Sequence, residues 1–238
     1  MNNQMPVIIL AGGFGTRISE ETETKPKPMV RIGSKPILEH LIDTFISQGF
    51  SEIYIAAGYM HEVIDDWLEN IHISNSEIIS INTGLETQTG GRIKKVIDIV
   101  DNANNFIVTY GDGLANVNLN SLISLHQEMG KLATVTSVRP PARFGVIESV
   151  NNLVSHFGEK IQTTEGWING GYFVLNRKVS DLILNDSESF EFHTLPKLVR
   201  HKQLATFKHE GFWKPMDTLR EKQEFEKLLE KKPYPWQL

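Results

Sequence analysis

The chain has no cysteine among its 238 residues, which removes disulfides, thiolate metal centres and cysteine nucleophiles and leaves any chemistry to oxygen and nitrogen groups. It also lacks a surplus of positive charge. Its 24 lysines and arginines against 29 acidic residues give a net charge of -5, so a phosphate-backbone footprint, and with it a nucleic-acid partner, is not expected. No apolar run approaches the roughly 20 residues of a membrane helix, and no positive charge precedes Arg17. Neither a membrane span nor a signal peptide is therefore expected, and the chain reads as soluble and cytoplasmic. Its eight histidines never fall in H-x-x-x-H spacing, which argues against zinc. Internal repeats, low-complexity tracts and linkers are absent as well. One domain over 1–238 is expected, at a length that can bury a sizeable core.

What is present is an alternation of short β-rich runs and helical periodicity. "VIIL" reads as a buried strand, and 36–48 as a helix with Pro36 in its first turn, an apolar stripe at Ile37, Leu38, Leu41, Ile42 and Phe45, and Gly49 beyond its end. "EIYIAAG", "EIISIN" and "FIVTYGDG" read as further strands, separated by the helical stretches "MHEVIDDWLENI" and "RIKKVIDIV". Strands spaced this way predict right-handed crossovers and a doubly wound, mostly parallel α/β sheet, whose ligands sit at the carboxyl ends of its strands. After Gly130 the strands "ATVTSV", "FGVIESV" and "GGYFVL" have fewer helices between them, which predicts a mixed or antiparallel, β-rich extension. "HTLPKLVRH" and "DTLREKQEFEKLLEK" read as late helices, the last with Leu219, Phe225, Leu228 and Leu229 as its apolar stripe.

The first strand runs into "AGGFGTR", followed by the lysines of "KPKPM". A P-loop, G-x-x-x-x-G-K-[ST], is not there. A dinucleotide fingerprint, G-x-G-x-x-G, finds Gly13 and Gly15 but meets Ile18 in its third place, and the polar, proline-punctuated "SEETETKPKP" that follows does not predict a helix. What fits is a glycine-rich loop whose backbone N–H groups form an anion-binding nest. Arg17 would clamp a phosphate bidentately and Lys27 would return as a point charge. An ordinary glycine turn beside a solvated charged loop remains open on these residues alone.

Further along, Asp112 in "TYGDG" ends a buried strand between two glycines, where a carboxylate projects at the sheet's carboxyl edge as a natural Mg²⁺ ligand. An Asp-Gly turn is its alternative. In "GLETQTGGR", Thr87 and Gln88 offer donors and acceptors to a base edge, Gly90 and Gly91 allow close backbone approach, and Arg92 follows at a helix start.

The run "LAGGFGTRISEETETKPKPMVRIGSKPILEH" resembles the signature of the sugar-1-phosphate nucleotidyltransferases, in which L-A-G-G-x-G-T-R is followed by K-P-K-P-M and K-P-I. "TGGRIKKV", "TYGDGLANV", "PPARFGVIES", "WINGGYFVLN" and "GFWKPMDTLR" continue the resemblance in family order nearly end to end. Together they are most similar to the glucose-1-phosphate cytidylyltransferases within that family.

The resemblance implies a Rossmann-like, GT-A-like sheet, with residues 1–130 mainly binding the NTP and 131–238 mainly the sugar phosphate. It implies CTP and glucose 1-phosphate as substrates, Mg²⁺ as cofactor, and a homo-oligomer. For the nucleotide it implicates Leu10, Ala11, Gly12, Gly13, Gly15, Thr16, Arg17, Lys27, Thr87, Gln88, Gly91, Arg92 and Gly111. Arg17 would anchor the β/γ-phosphates and Lys27 the α-phosphate. For the metal it adds Asp217 of "PMDTL" to Asp112, a position that could equally cap the last helix. For the sugar phosphate it implicates Gly145, Glu159, Lys160, Asn169 and Gly170.

The chain departs from the family twice. Ile161 replaces the proline after Glu159 and Lys160, and the segment "HISNSEIISIN" is shorter than its counterpart in the glucose-1-phosphate cytidylyltransferases. Another NTP, another phosphorylated acceptor, or a non-catalytic nucleotide-sugar-binding regulator stay open beside the leading reading.

Overall fold

Strand β1 (Val7–Ala11) is apolar and buried at every position, the pattern of a parallel strand covered on both faces. Its side chains divide between two cores. Val7, Ile9 and Ala11 join one cluster, and Ile8 and Leu10 join the other. The computed structural model describes residues 5–140, 146–150, 153–158 and 166–238.

In chain order, β1 is followed by α1 (Ser19–Thr22), a two-stranded ribbon of β2 (Arg31–Ile32) and β3 (Lys35–Pro36), α2 (Ile37–Ser47) and β4 (Glu52–Ala57). Next come α3 (His61–Glu69), β5 (Glu77–Asn82), α4 (Thr89–Ile99) and β6 (Asn105–Tyr110). The second half adds β7 (Gly113–Ala115), α5 (Leu119–Met129), β8 (Ala133–Val138), the hairpin of β9 (Val146–Val150) and β10 (Leu153–Gly158), and β11 (Ile168–Asn176). It closes with α6 (Leu195–Arg200), β12 (Leu204–His209), β13 (Trp213–Pro215) and α7 (Leu219–Leu228).

The seven-stranded sheet runs β12-β8-β11-β6-β1-β4-β5. Neighbours pair in parallel except β11, which lies antiparallel to both β6 and β8. This is the expected doubly wound, mostly parallel mixed sheet. One face is covered by α2, with Ile37, Leu38, Leu41, Ile42 and Phe45 fully buried, and by Phe225 of α7; the other face is covered by Ile93, Val96 and Ile97 of α4. The later strands do not form an appendage. β8, β11 and β12 complete the same sheet, and the hairpin β9–β10 is the small β-rich extension.

Three local details differ from expectation. Pro36 precedes α2 as its N-cap rather than lying in its first turn. Two short helical turns, at residues 16–18 and α1, do follow the glycine loop, and both end before Pro26. α5 and the edge strand β12 carried no clear sequence signal. α5 is defined by its ends, Asn118 accepting from Ser121 N and Gly130 closing the helix at φ +57°. β12 buries only Ala205 and His209, too few for a legible alternation.

Candidate active site

The carboxyl ends of β1 and β6 lie side by side, since the two strands pair in parallel. The loop after β1 therefore faces the loop after β6, and Gly111 N donates to Leu10 O at 2.9 Å. Between them opens a cavity of about 320 Å³. The glycine loop forms one wall: Gly15 turns the chain at φ +64°, where a Cβ would press on Thr22 and Lys27 at 3.0 and 3.1 Å.

A second piece of backbone brings in the other carboxylate. β7 pairs antiparallel with β13, Gly113 opposite Pro215, and Met216 N donates to Asp112 O at 2.8 Å. This ribbon places Asp217 beside Asp112. Asp217 is not the helix cap. Thr218 caps α7, forming a capping box with Glu221, so the Asp217 side chain is left to face the cavity's cations.

Those cations are Lys27 and Arg17. Lys27 Nζ donates to Asp112 Oδ2 at 2.6 Å and to Asp217 Oδ1 at 2.5 Å. Arg17 Nη1 donates to Asp217 Oδ2 at 2.8 Å. The lysine side chain is 9% exposed and the arginine 72%, so one pair is internal and the other is at the surface. Burial alone would pull the Lys27 amine down, but the adjacent Asp112 and Asp217 carboxylates outweigh it and hold the amine above the ordinary lysine value. Lys25, by contrast, is partly exposed.

Asp112 and Asp217 fit a divalent cation: two carboxylates 105 positions apart in sequence already converge on one positive charge. Two hard oxygen ligands suit Mg²⁺, which keeps its remaining places for waters and phosphate oxygens. Among the described residues no group of three or more His, Cys, Asp and Glu side chains could hold a metal.

Leu10, Ala11, Gly12, Gly13, Gly15, Thr16, Arg17, Lys27, Thr87, Gln88, Arg92 and Asp112 all line the cavity. Two of the expected nucleotide residues do not. Gly91 packs on the Asp186 backbone, where a Cβ would fall 2.7 Å from its Cα, and Gly111 packs under Leu10 O. Gly90 likewise meets Glu188 O, so both glycines of "TGG" admit the 186–190 segment against α4 rather than a ligand.

Within the 83–88 loop before α4, Gln88 is exposed, whereas the Thr87 hydroxyl donates internally to Thr83 O at 2.6 Å. Arg92 is 4% exposed; burial lowers its pKa, yet a guanidinium remains charged. It donates to Ala57 O at 3.0 Å, Thr83 Oγ1 at 2.5 Å, Gly12 O at 3.0 Å and Leu85 O at 3.3 Å.

On the expected sugar side, Asn169 is exposed at the start of β11, with Oδ1 accepting from Gly171 N at 2.8 Å. Gly170 is buried, and its carbonyl accepts from Trp213 Nε1 at 2.7 Å. Gly145, Glu159 and Lys160 lie outside the described residues.

Sequence reasoning missed Tyr110 and Glu191. Tyr110 lines the cavity and donates to Glu191 Oε1 at 2.5 Å, while Asn169 Nδ2 donates weakly to its oxygen at 3.4 Å. Burial first, and then the Glu191 charge, push the phenol far above its ordinary value, so it stays protonated. Glu191 also accepts from Thr89 Oγ1 at 2.6 Å and Ser189 Oγ at 2.7 Å. The network links the start of α4 to the Asn169 turn. Phe14 and Leu85 were missed too: both line the cavity although 46% and 49% exposed, and Phe14 leans on Tyr59 with ring centroids 5.2 Å apart.

The profile of the nucleotidyl transferase family matches residues 6–224. A glucose-1-phosphate cytidylyltransferase of Salmonella typhi is 40% identical over 253 aligned positions, covering 98% of both chains. A probable glucose-1-phosphate cytidylyltransferase of Bacillus subtilis is 36% identical, covering 98% of this chain and 100% of the relative. Among solved structures, HddC from Yersinia pseudotuberculosis complexed with GMP-PN superposes with a TM-score of 0.77 at 26% identity, covering 94% of this chain and 99% of its own.

Proposed function

The chain belongs to the nucleotidyl transferase family and is a nucleotidyltransferase, and on that premise we propose that it joins CTP to glucose 1-phosphate, releasing pyrophosphate and CDP-glucose. The observation that carries the reading is the convergence of Asp112 and Asp217 on Lys27 beside the glycine loop. Relatives covering nearly the whole chain, whose names specify this reaction, support the choice of substrates.

In the reaction a phosphate oxygen of the sugar 1-phosphate attacks the α-phosphorus, the bond to the bridging α–β oxygen breaks, and pyrophosphate leaves with the electron pair. The attacking phosphate is already deprotonated, so the site needs cations more than a base. At about 4 Å and an effective dielectric near 20, one unit charge on another is worth roughly 4 kcal/mol. Asp112 and Asp217 would hold Mg²⁺, which would supply Lewis-acid polarisation at the α-phosphate.

The protein's own groups do the rest. Arg17, at the surface end, releases Asp217 to grip the β- and γ-phosphates with its planar fork. Lys27 transfers from the two carboxylates to the α-phosphate oxygens, where charge builds as the displacement proceeds. Backbone N–H groups of the glycine loop cradle the phosphates, and exposed Gln88 faces the pyrimidine edge. Lys160 would hold the attacking phosphate. Binding of both substrates along the carboxyl edge of one sheet would support a single in-line displacement.

A second reading keeps the chemistry and changes a substrate. It is favoured by the guanine-nucleotide analogue in the HddC complex and by Ile161 and the short "HISNSEIISIN" segment in this chain. Pyrophosphate release measured with four NTPs against several phosphorylated acceptors separates the two. CTP with glucose 1-phosphate is expected to give the highest kcat/KM. A higher value with another pair would replace the substrates, and tight CDP-glucose binding without turnover would replace the enzyme by a binding protein.

A further inference from the structure

Gly12 and Gly58 have no conformational reason to be glycine, because neither adopts the left-handed φ region. What they share is Arg92. A Cβ on Gly12 would fall 2.1 Å from Arg92 Cζ, and one on Gly58 would fall 2.3 Å from Arg92 Nη1. Both separations are far inside van der Waals contact, so the two bare positions form a slot through which the guanidinium passes. Neither neighbour could be alanine unless the guanidinium moved, and that group is pinned by its four donated hydrogen bonds.

Those bonds end on three segments: the glycine loop at Gly12 O and the 83–88 loop at Thr83 Oγ1 and Leu85 O, both of which contribute residues to the cavity lining, and the end of β4 at Ala57 O, which does not. Tyr59 N donates to the same Gly12 O at 3.2 Å, tying the β4–α3 turn to the glycine loop. One turn along α4, Lys95 Nζ donates to Thr83 O at 2.9 Å and Thr87 Oγ1 at 3.2 Å. Among the described residues no carboxylate pairs with Arg92 within 4.0 Å. Its desolvation is met by neutral dipoles whose positions it fixes in return. A lysine, with a compact ammonium in place of a planar fork, could not reach all four acceptors at once.

We propose that Arg92 is a positioning residue for the nucleotide, setting the spacing between the glycine loop and the 83–88 loop, and that Gly58 is kept without a side chain to let it do so. The proposal rests on the nucleotide-binding reading of the cavity. It makes Gly58, which does not line the cavity, a determinant of affinity and base choice.

The test compares wild type, Gly58→Ala and Arg92→Lys by calorimetric titration with CTP and with UTP in Mg²⁺ buffer, alongside pyrophosphate release and thermal unfolding. Gly58→Ala is expected to unfold cooperatively yet to bind CTP on the order of 10–100-fold more weakly, because loops misplaced by about an ångström lose that much. Its preference for CTP over UTP should narrow, and KM for CTP should rise more than kcat falls. Arg92→Lys should show the same loss with its charge intact. Unchanged affinity and base preference in folded Gly58→Ala would overturn the proposal, as would wild-type affinity in Arg92→Lys, which would assign the effect to charge alone. Failure of the wild type to bind any nucleotide would instead remove the underlying reading of the cavity.

Discussion

Two buried cations line one cavity and are neutralised in opposite ways. Lys27 sits between two carboxylates at 2.6 and 2.5 Å, whereas Arg92 meets three backbone carbonyls and a threonine hydroxyl. The difference separates reaction from frame. An ammonium held by carboxylates can exchange partners when a polyanion and a metal ion arrive together, because every charge finds a new counterion. A guanidinium held by main-chain dipoles has no such exchange, and moving it would leave buried acceptors unpaired, each at about 1–3 kcal/mol.

The comparison breaks most sharply at Asp112. Asp112→Asn keeps the side chain's shape and removes half of the exchangeable pair, so turnover measured by pyrophosphate release should fall on the order of 10³-fold, at the upper end for loss of one electrostatic group. Far-UV circular dichroism should be unchanged; turnover near the wild-type value would dissociate Asp112 from the metal. Lys27→Ala comes next. It should lower kcat by roughly 10²-fold, with a smaller change in KM for CTP, and a rise in KM at constant kcat would contradict a role confined to the transition state.

A smaller effect is expected at Arg17, whose side chain is 72% exposed. Exposed ion pairs contribute little to stability, so Arg17→Ala should leave the melting temperature within experimental scatter while raising KM for CTP by about tenfold, roughly one charge-assisted hydrogen bond. A lowered melting temperature with unchanged KM would make the pair structural.

The smallest effect concerns pH, and it sharpens the contrast by showing that neither cation titrates near neutrality. Lys27 is held above its usual value, so its contribution to stability is present at neutral pH and lost only in the strongly alkaline range. Acid sensitivity should come instead from His126 and His209, which burial holds below the ordinary value of 6.5. Below pH 6.5 the unfolded chain takes up protons that the folded chain refuses, so stability should fall as pH falls. Thermal melts of His126→Gln should show a shallower decline between pH 7 and 5; a decline equal to wild type would exclude His126 as a source.

The sheet was legible because β1, β4 and β6 are short apolar runs separated by amphipathic helices, and that alternation has few solutions. The glycine loop, Lys27 and Asp112 were legible because each is local: a strand end, a turn and a charge. Asp217 was ambiguous in isolation, since Asp-Thr before a helix reads as a cap at either residue. Only the capping box at Thr218 and the β7–β13 ribbon separate the two roles.

Arg92 lines the cavity beside the glycine loop, but its partners were invisible because carbonyl acceptors leave no mark in a sequence. The signal that could have suggested them was two glycines, Gly12 and Gly58, neither of them required by positive φ. Tyr110 read as one more strand residue. Its hydrogen bond to Glu191 depends on a five-residue π-helical turn at Phe190–Thr194, and a period of that kind is too rare to anticipate.

The β7–β13 ribbon also sets a time. A chain emerging during synthesis exposes its glycine loop early and Asp112 midway, but the second carboxylate arrives only after β13 can pair with β7. Until then Lys27 lacks one of its two counterions and the acidic pair does not exist. The meeting of Asp112 and Asp217 on Lys27 is thus completed late in synthesis, through three residues of antiparallel backbone that lie outside the main sheet.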